Sequence, residues 1–163
     1  MLIGLISDTH DHIQNAKEAA AHFREKGVKM VLHAGDFCSP FMVPIFEEFD
    51  LHAVFGNNDG DTYRLMQKMD EIGGQFYDQF FNYEFDGGLK LAMYHGTHQQ
   101  ITDALIASGH YDIVVSGHTH QVVEENHNGV LHINPGSANG FHHQATVGIF
   151  DTDTKMLNIE TLN

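Results

Sequence analysis

An α/β fold, with α+β character in its second half and two β-sheets packed together inside outer helices, is what this sequence predicts. Three observations lead there. The first half alternates continuous apolar runs with amphipathic stretches of helical period, the second half is mostly short strand-like runs between glycine-rich turns, and no repeat or Pro/Ser-rich linker divides them. At 163 residues the chain has the length of one domain, so a single domain over 1–163 is expected.

The elements follow in order. The run LIGLIS (2–7) is apolar throughout and reads as a strand buried on both faces. In HIQNAKEAAAHFREKG, residues Ile13, Ala16, Ala20 and Phe23 recur at helical spacing, with Asp11 as a candidate cap at the start and Gly27 at the end. KMVLHAG (29–35) repeats the strand signal, PFMVPIFEEF (40–49) reads as a short helix opening on proline, and LHAVFG (51–56) is a third strand. DTYRLMQKMDEIG (61–73) carries Leu65, Met66, Met69 and Ile72 on one helical stripe. Beyond residue 75, the runs FFNYEF, LKLAMYH, DIVVSGH, VVEEN, VLHIN, TVGIFD and MLNIETL are strand-like, separated by DGG, HNG and PGSANG turns. HQQITDALIASG (98–109) is the clear helix among them, with Ile101, Ala104, Leu105 and Ser108 on its expected inner face.

Composition narrows the function. Apolar residues are 42% and charged residues 18% of the chain, as suits an ordered globular protein. Twenty-two acidic against eight basic residues give a formal charge of −14, a field that repels a polyanion and disfavours nucleic acid as a partner. Cys38 is the only cysteine, so neither an intrachain disulfide nor a thiolate metal cluster can form. The start MLIGLISD has no basic region or cleavage site and is too short to span a bilayer; it reads as the first strand of a cytoplasmic protein with no membrane partner.

Several expected strands end in residues able to bind a metal. The first delivers Asp8 and His10, the second Asp36, the third Asn57, Asn58 and Asp59, then His95, and finally His118 and His120. Carboxyl ends of strands are where α/β folds gather ligand groups, and glycines beside Asp36, Asn57, His95 and His118 let the backbone turn and approach closely. In SGHTHQ (116–121), side chains two apart on an extended backbone point the same way, so His118 and His120 can reach one locus. A set of carboxylates, imidazoles and an amide without sulfur suits Mn²⁺, Fe²⁺, Co²⁺, Ni²⁺ or Zn²⁺, whereas Ca²⁺ prefers oxygen alone. The set exceeds what one closed four-ligand site uses, so two divalent metal ions sharing one carboxylate is the economical reading.

DTH at 8–10, GD at 35–36, GNND at 56–59, HG at 95–96 and GHTH at 117–120, with NPGS at 134–137, resemble the ordered motifs of the calcineurin-like metallophosphoesterases, nearest to small phosphodiesterases of the YfcE type. The resemblance implies a four-layer sandwich of two mixed β-sheets flanked by helices. It implies that Asp8, His10 and His120 hold a first metal, that Asn57, His95 and His118 hold a second, and that Asp36 bridges both. It also implies metal-dependent hydrolysis of a small phosphodiester by a hydroxide shared between the ions, Mn²⁺ being the first choice of metal. Where many family members carry a histidine that assists the leaving oxygen, this chain has Asn58, which donates a hydrogen bond but cannot supply a proton. Esters with acidic leaving groups are therefore expected to be preferred.

Other residues receive weaker readings. His98 is either a substitute donor or a solvated histidine starting a helix, and Asp59 either orients a ligand or begins a turn. His33 is expected to be a satisfied core residue, Cys38 a small packing residue close to Asp36, and His142 and His143 exposed loop residues, with lining of the substrate mouth as the alternative. The competing function is a non-catalytic, metal-binding protein-interaction scaffold of the same fold, like the retromer subunit. The sequence also leaves room for a homo-oligomer.

Overall fold

Side-chain alternation along the strands sorts the core into two layers. The computed structural model of the protein describes residues 1–163. In β1 (Leu2–Ile6), Ile3 and Leu5 pack between the two sheets, while Ile6 packs beneath the helices. The same division runs through β2 (Met30–His33), with Met30 and Leu32 on the inter-sheet side and Val31 on the helical side. Each strand of this sheet thus carries two apolar faces, which is why the sequence shows continuous apolar runs rather than alternation.

The first sheet continues with β3 (Asp50–Ala53), β4 (Gln75–Phe76), β10 (Thr146–Asp151) and β11 (Met156–Thr161), in the order β11-β10-β1-β2-β3-β4. Strands β1 to β4 run parallel, and β10 and β11 add antiparallel pairs. The second sheet contains β5 (Phe80–Glu84), β6 (Lys90–Tyr94), β7 (Ile113–Val115), β8 (Val122–His127) and β9 (Val130–Pro135), in the order β5-β6-β7-β9-β8. Its centre is parallel and its outer pairs antiparallel, so both sheets are mixed. Register aligns the strand ends. Ile6 pairs with His33 and His33 with Ala53, while Met93 pairs with Val115, so the strands of each sheet finish level with one another.

Helix α1 (Ile13–Lys26) lies on the first sheet and ends at Gly27, left-handed at φ 76°. Its cap at the start is His12 rather than Asp11: His12 Nδ1 accepts from the Asn15 amide, and Asp11 instead accepts from the Ser39 N–H and hydroxyl. Its buried stripe runs through Asn15, Ala16, Ala19, Ala20 and Phe23 and leaves Ile13 exposed, contrary to the periodicity. Pro40–Phe46 is a 3₁₀ helix, consistent with Pro44 lacking the N–H an α-helical bond would use. In α2 (Thr62–Ile72), Leu65 and Met69 are buried and Met66 is exposed.

The second sheet is covered by α3 (Gln99–Ala107), which completes the four layers. Its inner line runs through Thr102, which is buried, and the half-buried Leu105 and Ile106, whereas Ile101, Ala104 and Ser108 face outward. This short helix rests mainly on β7, so one strand rather than a broad sheet face sets its rotation. No helix of the protein is long and apolar enough to cross a membrane.

His33 is the satisfied core histidine expected. It is fully buried, stacks on Phe37 at 3.5 Å, accepts from the Gly35 N–H at Nδ1 and meets the Thr9 hydroxyl at Nε2. Burial pushes its pKa from 6.5 down to about 3. The ring stays neutral in the fold while the unfolded chain protonates it, so its contribution is complete above pH ~6.5 and declines as pH falls toward ~3. Metal-free protein should therefore lose about 2 kcal/mol more stability between pH 7 and pH 5 than a His33→Gln variant does. Urea melts at the two pH values measure this, and equal losses would refute it.

Candidate metal centre

Because the strands end level, the segments after β1, β2, β3, β6 and β7 meet at one rim of the sandwich. There the backbone leaves the extended state: Asp8, His10, Asp36, His118 and His120 all have positive φ, between 39° and 66°. Non-glycine residues rarely take this conformation, and its concentration at one place marks backbone bent to aim side chains. The extended geometry expected for His118 and His120 is thus replaced by two left-handed residues, and their rings take different neighbours.

His120 joins Asp8 and His10. Nε2 of His120 is 3.2 Å from Asp8 Oδ1, Nε2 of His10 is 3.5 Å from the same oxygen, and the two nitrogens are 3.3 Å apart. The His118 ring instead packs edge-on against His95, with centroids 5.2 Å apart. Asp36 Oδ2 lies 3.4 Å from His10 Nε2 and 3.4 Å from His95 Nε2, and Asn57 Oδ1 is 3.1 Å from that same His95 nitrogen. Nδ1 of His95 is 2.7 Å from the Ala34 carbonyl, which takes its proton as a hydrogen bond and leaves Nε2 as the lone-pair atom facing the cluster.

These spacings can be tested against metal coordination. Two donors each ~2.1 Å from one ion stand ~3.0 Å apart at a right angle and ~3.4 Å apart at a tetrahedral angle. The donor separations above run from 3.1 to 3.5 Å. Asp8 Oδ1 is moreover a buried oxygen with no hydrogen-bond partner in the protein. Oxygen and imidazole donors at this spacing, around an unsatisfied carboxylate oxygen, fit divalent cations.

Charge agrees with geometry. Burial acts to raise Asp8, but the imidazoles of His10 and His120 outweigh it and hold the carboxyl well below its usual range. Burial likewise opposes ionisation of Asp36, and His95 and Asn58 overcome it. Asp8 raises the pKa of His10; for His95, burial lowers it but Asp36 more than compensates. Burial, aided by His95, pushes His118 down. The rim therefore carries two ionised carboxylates that draw positive charge toward themselves.

The remaining predicted residues divide. Asn58 is turned onto Asp36, donating its N–H to Oδ1 and its amide to Oδ2, both at 2.8 Å. Asp59 is buried and accepts from the N–H groups of Asp36, Gly56 and Cys38 at 2.7 to 2.9 Å, so it fixes the Asp36 loop. His98 is exposed, starts α3 and shares a cleft with Asn57 and Asp59. Cys38 is half-buried, 3.3 Å from His10 Nδ1, with its thiol pushed up to about 12 by burial. His142 and His143 are exposed and line neither cleft beside the cluster.

Supporting residues that carry no ligand chemistry of their own escaped sequence reasoning. Ser7 donates to Asp8 Oδ2, which also accepts the His118 N–H. Asn134 ties down the Gly117 carbonyl and the Thr119 hydroxyl, while the Ser137 hydroxyl and the Asn139 amide both donate to the Asp8 carbonyl. The NPGS motif was a signal for Asn134 and Ser137 only; Ser7 and Asn139 had none. Gly117 is required by space: a Cβ there would collide with Ser7 Oγ and fall 2.8 Å from Asp8 Oδ2.

Comparison with known proteins decides the family. The model of the calcineurin-like phosphoesterase superfamily domain matches residues 1–155. The chain belongs to that superfamily. It is 41% identical over 159 residues to a phosphodiesterase of Methanocaldococcus jannaschii, covering 95% of each. A solved archaeal phosphodiesterase superposes with a TM-score of 0.93 at 40% identity, over 99% of this chain and 100% of that one. At lower identity the fold alone is shared with YfcE, a phosphoesterase from E. coli (18%, TM-score 0.71, all of both chains), and with Vps29 from Entamoeba histolytica (17%, TM-score 0.69, 99% and 98%).

Asp59 gives this superfamily member a simple structural test. An asparagine there offers one acceptor oxygen and turns an NH₂ toward amide donors. Asp59→Asn should cost about 2–3 kcal/mol in urea unfolding, while the exposed cap change Asp61→Asn costs under about 0.5 kcal/mol. Equal effects would show that the three amide bonds do not hold the loop.

Proposed function

We propose that this protein is a dinuclear-metal phosphodiesterase acting on small phosphodiesters. The observation that carries the reading is Asp36 Oδ2, which stands 3.4 Å from both His10 Nε2 and His95 Nε2 and so is within reach of both groups of candidate ligands. Asp8, His10 and His120 would hold one ion, Asn57, His95 and His118 would hold the other, and Asp36 would serve both. Mn²⁺ is the first candidate, with Ni²⁺, Fe²⁺, Co²⁺ and Zn²⁺ compatible with the same donors. When bound, the ions supply Lewis acidity, ionising water near neutral pH and offsetting phosphate charge.

The protein's own groups do the positioning. Asp59 sets the loop that presents Asp36, and Asn58 keeps both oxygens of Asp36 oriented. One amide hydrogen of Asn58 is engaged by Asp36, and the second can donate to a leaving oxygen without transferring a proton. Ser7 and the His118 N–H hold Asp8 Oδ2, so that Oδ1 faces the two imidazoles. The net charge of −14 disfavours long polyanions but not a small ester drawn in by local cations. The 41% identity to a phosphodiesterase over 95% of the chain favours catalysis over the scaffold reading.

Activity on bis(p-nitrophenyl) phosphate should vanish with chelator and return with Mn²⁺. In saturating Mn²⁺, Asp36→Asn should lower kcat about a thousandfold or more with the fold intact by circular dichroism. Near wild-type turnover would remove Asp36 from the mechanism. Because Asn58 cannot protonate a leaving group, an aryl diester should be hydrolysed faster than an alkyl phosphomonoester, and the reverse order would overturn that role.

A further inference from the structure

Two clefts flank the cluster, and they differ in chemistry. The one beside Asn57 is mixed, with Asp59, Thr62, Asp78 and His98 set beside Phe55 and Tyr94. The one on the other side is lined by His10, His12, His120, Asn139 and Phe141, and its walls are mostly carbon. Two of those residues are candidate metal ligands, so whatever occupies this cleft lies beside a phosphate bound at the cluster. Phe141 is 68% exposed, and its one ring partner is His142, edge-on at 4.2 Å.

The loop bearing Phe141 is fastened to the site. Ala138 N–H donates to the Ser7 carbonyl at 3.0 Å and Asn139 N–H to the Asp8 carbonyl at 3.1 Å. The Asn15 amide holds the carbonyls of Ala138 and Asn139, and Asn139 Oδ1 accepts the N–H of Phe141 itself. The aromatic ring is thus carried two residues from an anchor set on the backbone of a candidate ligand. Across the cleft, His12 Nδ1 is occupied as an acceptor by Asn15, so the proton of the neutral ring sits on Nε2, where it can donate to an arm in the cleft.

We infer that this cleft is a subsite for a flat aromatic ring carried on one ester arm of the substrate, with Phe141 as the stacking residue that sets the preference. The inference deepens the proposed phosphodiesterase reading and rests on it for the position of the phosphate. At ≈ 260 Å³ the cleft is smaller than the ~300–1,000 Å³ of sites that engulf a drug-sized ligand, so it receives one arm and not a whole molecule. Its ring chemistry selects planar π-systems over alkyl chains. An aryl group and a nucleobase both satisfy it. This preference is separate from that set by Asn58: one acts through binding of a ring, the other through acidity of a leaving group.

Calorimetric titration of Mn²⁺-loaded protein with phenylphosphonate and methylphosphonate tests it, since neither probe needs turnover. Wild type should bind phenylphosphonate about tenfold more tightly, in the range of ring stacking removed by alanine substitution elsewhere. The ratio should fall to about one in Phe141→Ala and persist in Phe141→Tyr. The chain has no tryptophan, so Phe141→Trp installs a single reporter whose emission should be quenched by phenylphosphonate and not by methylphosphonate. Thymidine 5′-monophosphate distinguishes the source of the ring: affinity lost in Phe141→Ala assigns the subsite to nucleotides as well, and unchanged affinity confines it to aryl esters. An unchanged phenyl-to-methyl ratio in Phe141→Ala overturns the subsite while leaving the hydrolase reading in place. A Phe141-dependent ratio in a protein that hydrolyses no diester supports the subsite and overturns the hydrolase.

Discussion

Two carboxylates, Asp8 and Asp36, are buried to 0% and 1% exposure within reach of the same histidine, and the architecture of the rim follows from making that tolerable. Buried like charges are costly unless each oxygen has a partner of opposite character. Asp36 receives the Asn58 N–H and amide and faces two imidazoles; Asp8 receives the Ser7 hydroxyl and the His118 N–H on one oxygen and faces two imidazoles with the other. A third buried carboxylate, Asp59, is spent on backbone amides and stabilises the turn that carries Asp36. Of the oxygens on these three carboxylates, Asp8 Oδ1 alone lacks a hydrogen bond, and in the proposed centre it would face the ion shared with His10 and His120.

Such a centre needs rigid walls, and the two-sheet core supplies them. Leu5, Leu32 and Val115, fully buried, anchor the strands from which the ligand loops depart. The loops are then bent through left-handed residues, a local strain that hydrogen bonds from Asn134, Ser137 and Asn139 hold in place. These bonds come from the end of β9 and the segment after it, far along the chain, so the site closes only once both sheets are assembled. The same fastening carries Phe141 to the mouth, which ties substrate preference to the geometry of Asp8.

Much of the fold was legible because each strand that is buried on both faces must be written in apolar residues. The strand order could not be read, since β10 returning beside β1 depends on pairing across most of the chain. Helix faces were legible where a wide sheet demanded a stripe, as with Ala16, Ala20 and Phe23 of α1, and were misjudged in α3, which rests mainly on one strand. Asp11 shows the same limit: its local signal was a helix cap, and a tertiary neighbour, Ser39, claimed it instead.

For the centre itself, the sequence alone determined which chemistry was available: oxygen and nitrogen donors without thiolates, several of them next to a glycine that frees the backbone. How those donors are shared came only from the family resemblance of the motifs, not from residue type or spacing. That His120 turns to Asp8 and His10 while His118 turns to His95, that Asn58 clamps Asp36, and that Phe141 rather than His142 or His143 lines the cleft were decided by tertiary structure. The physical reason is that ligand type is a property of a residue, whereas aim is a property of a backbone bent by contacts from distant strands.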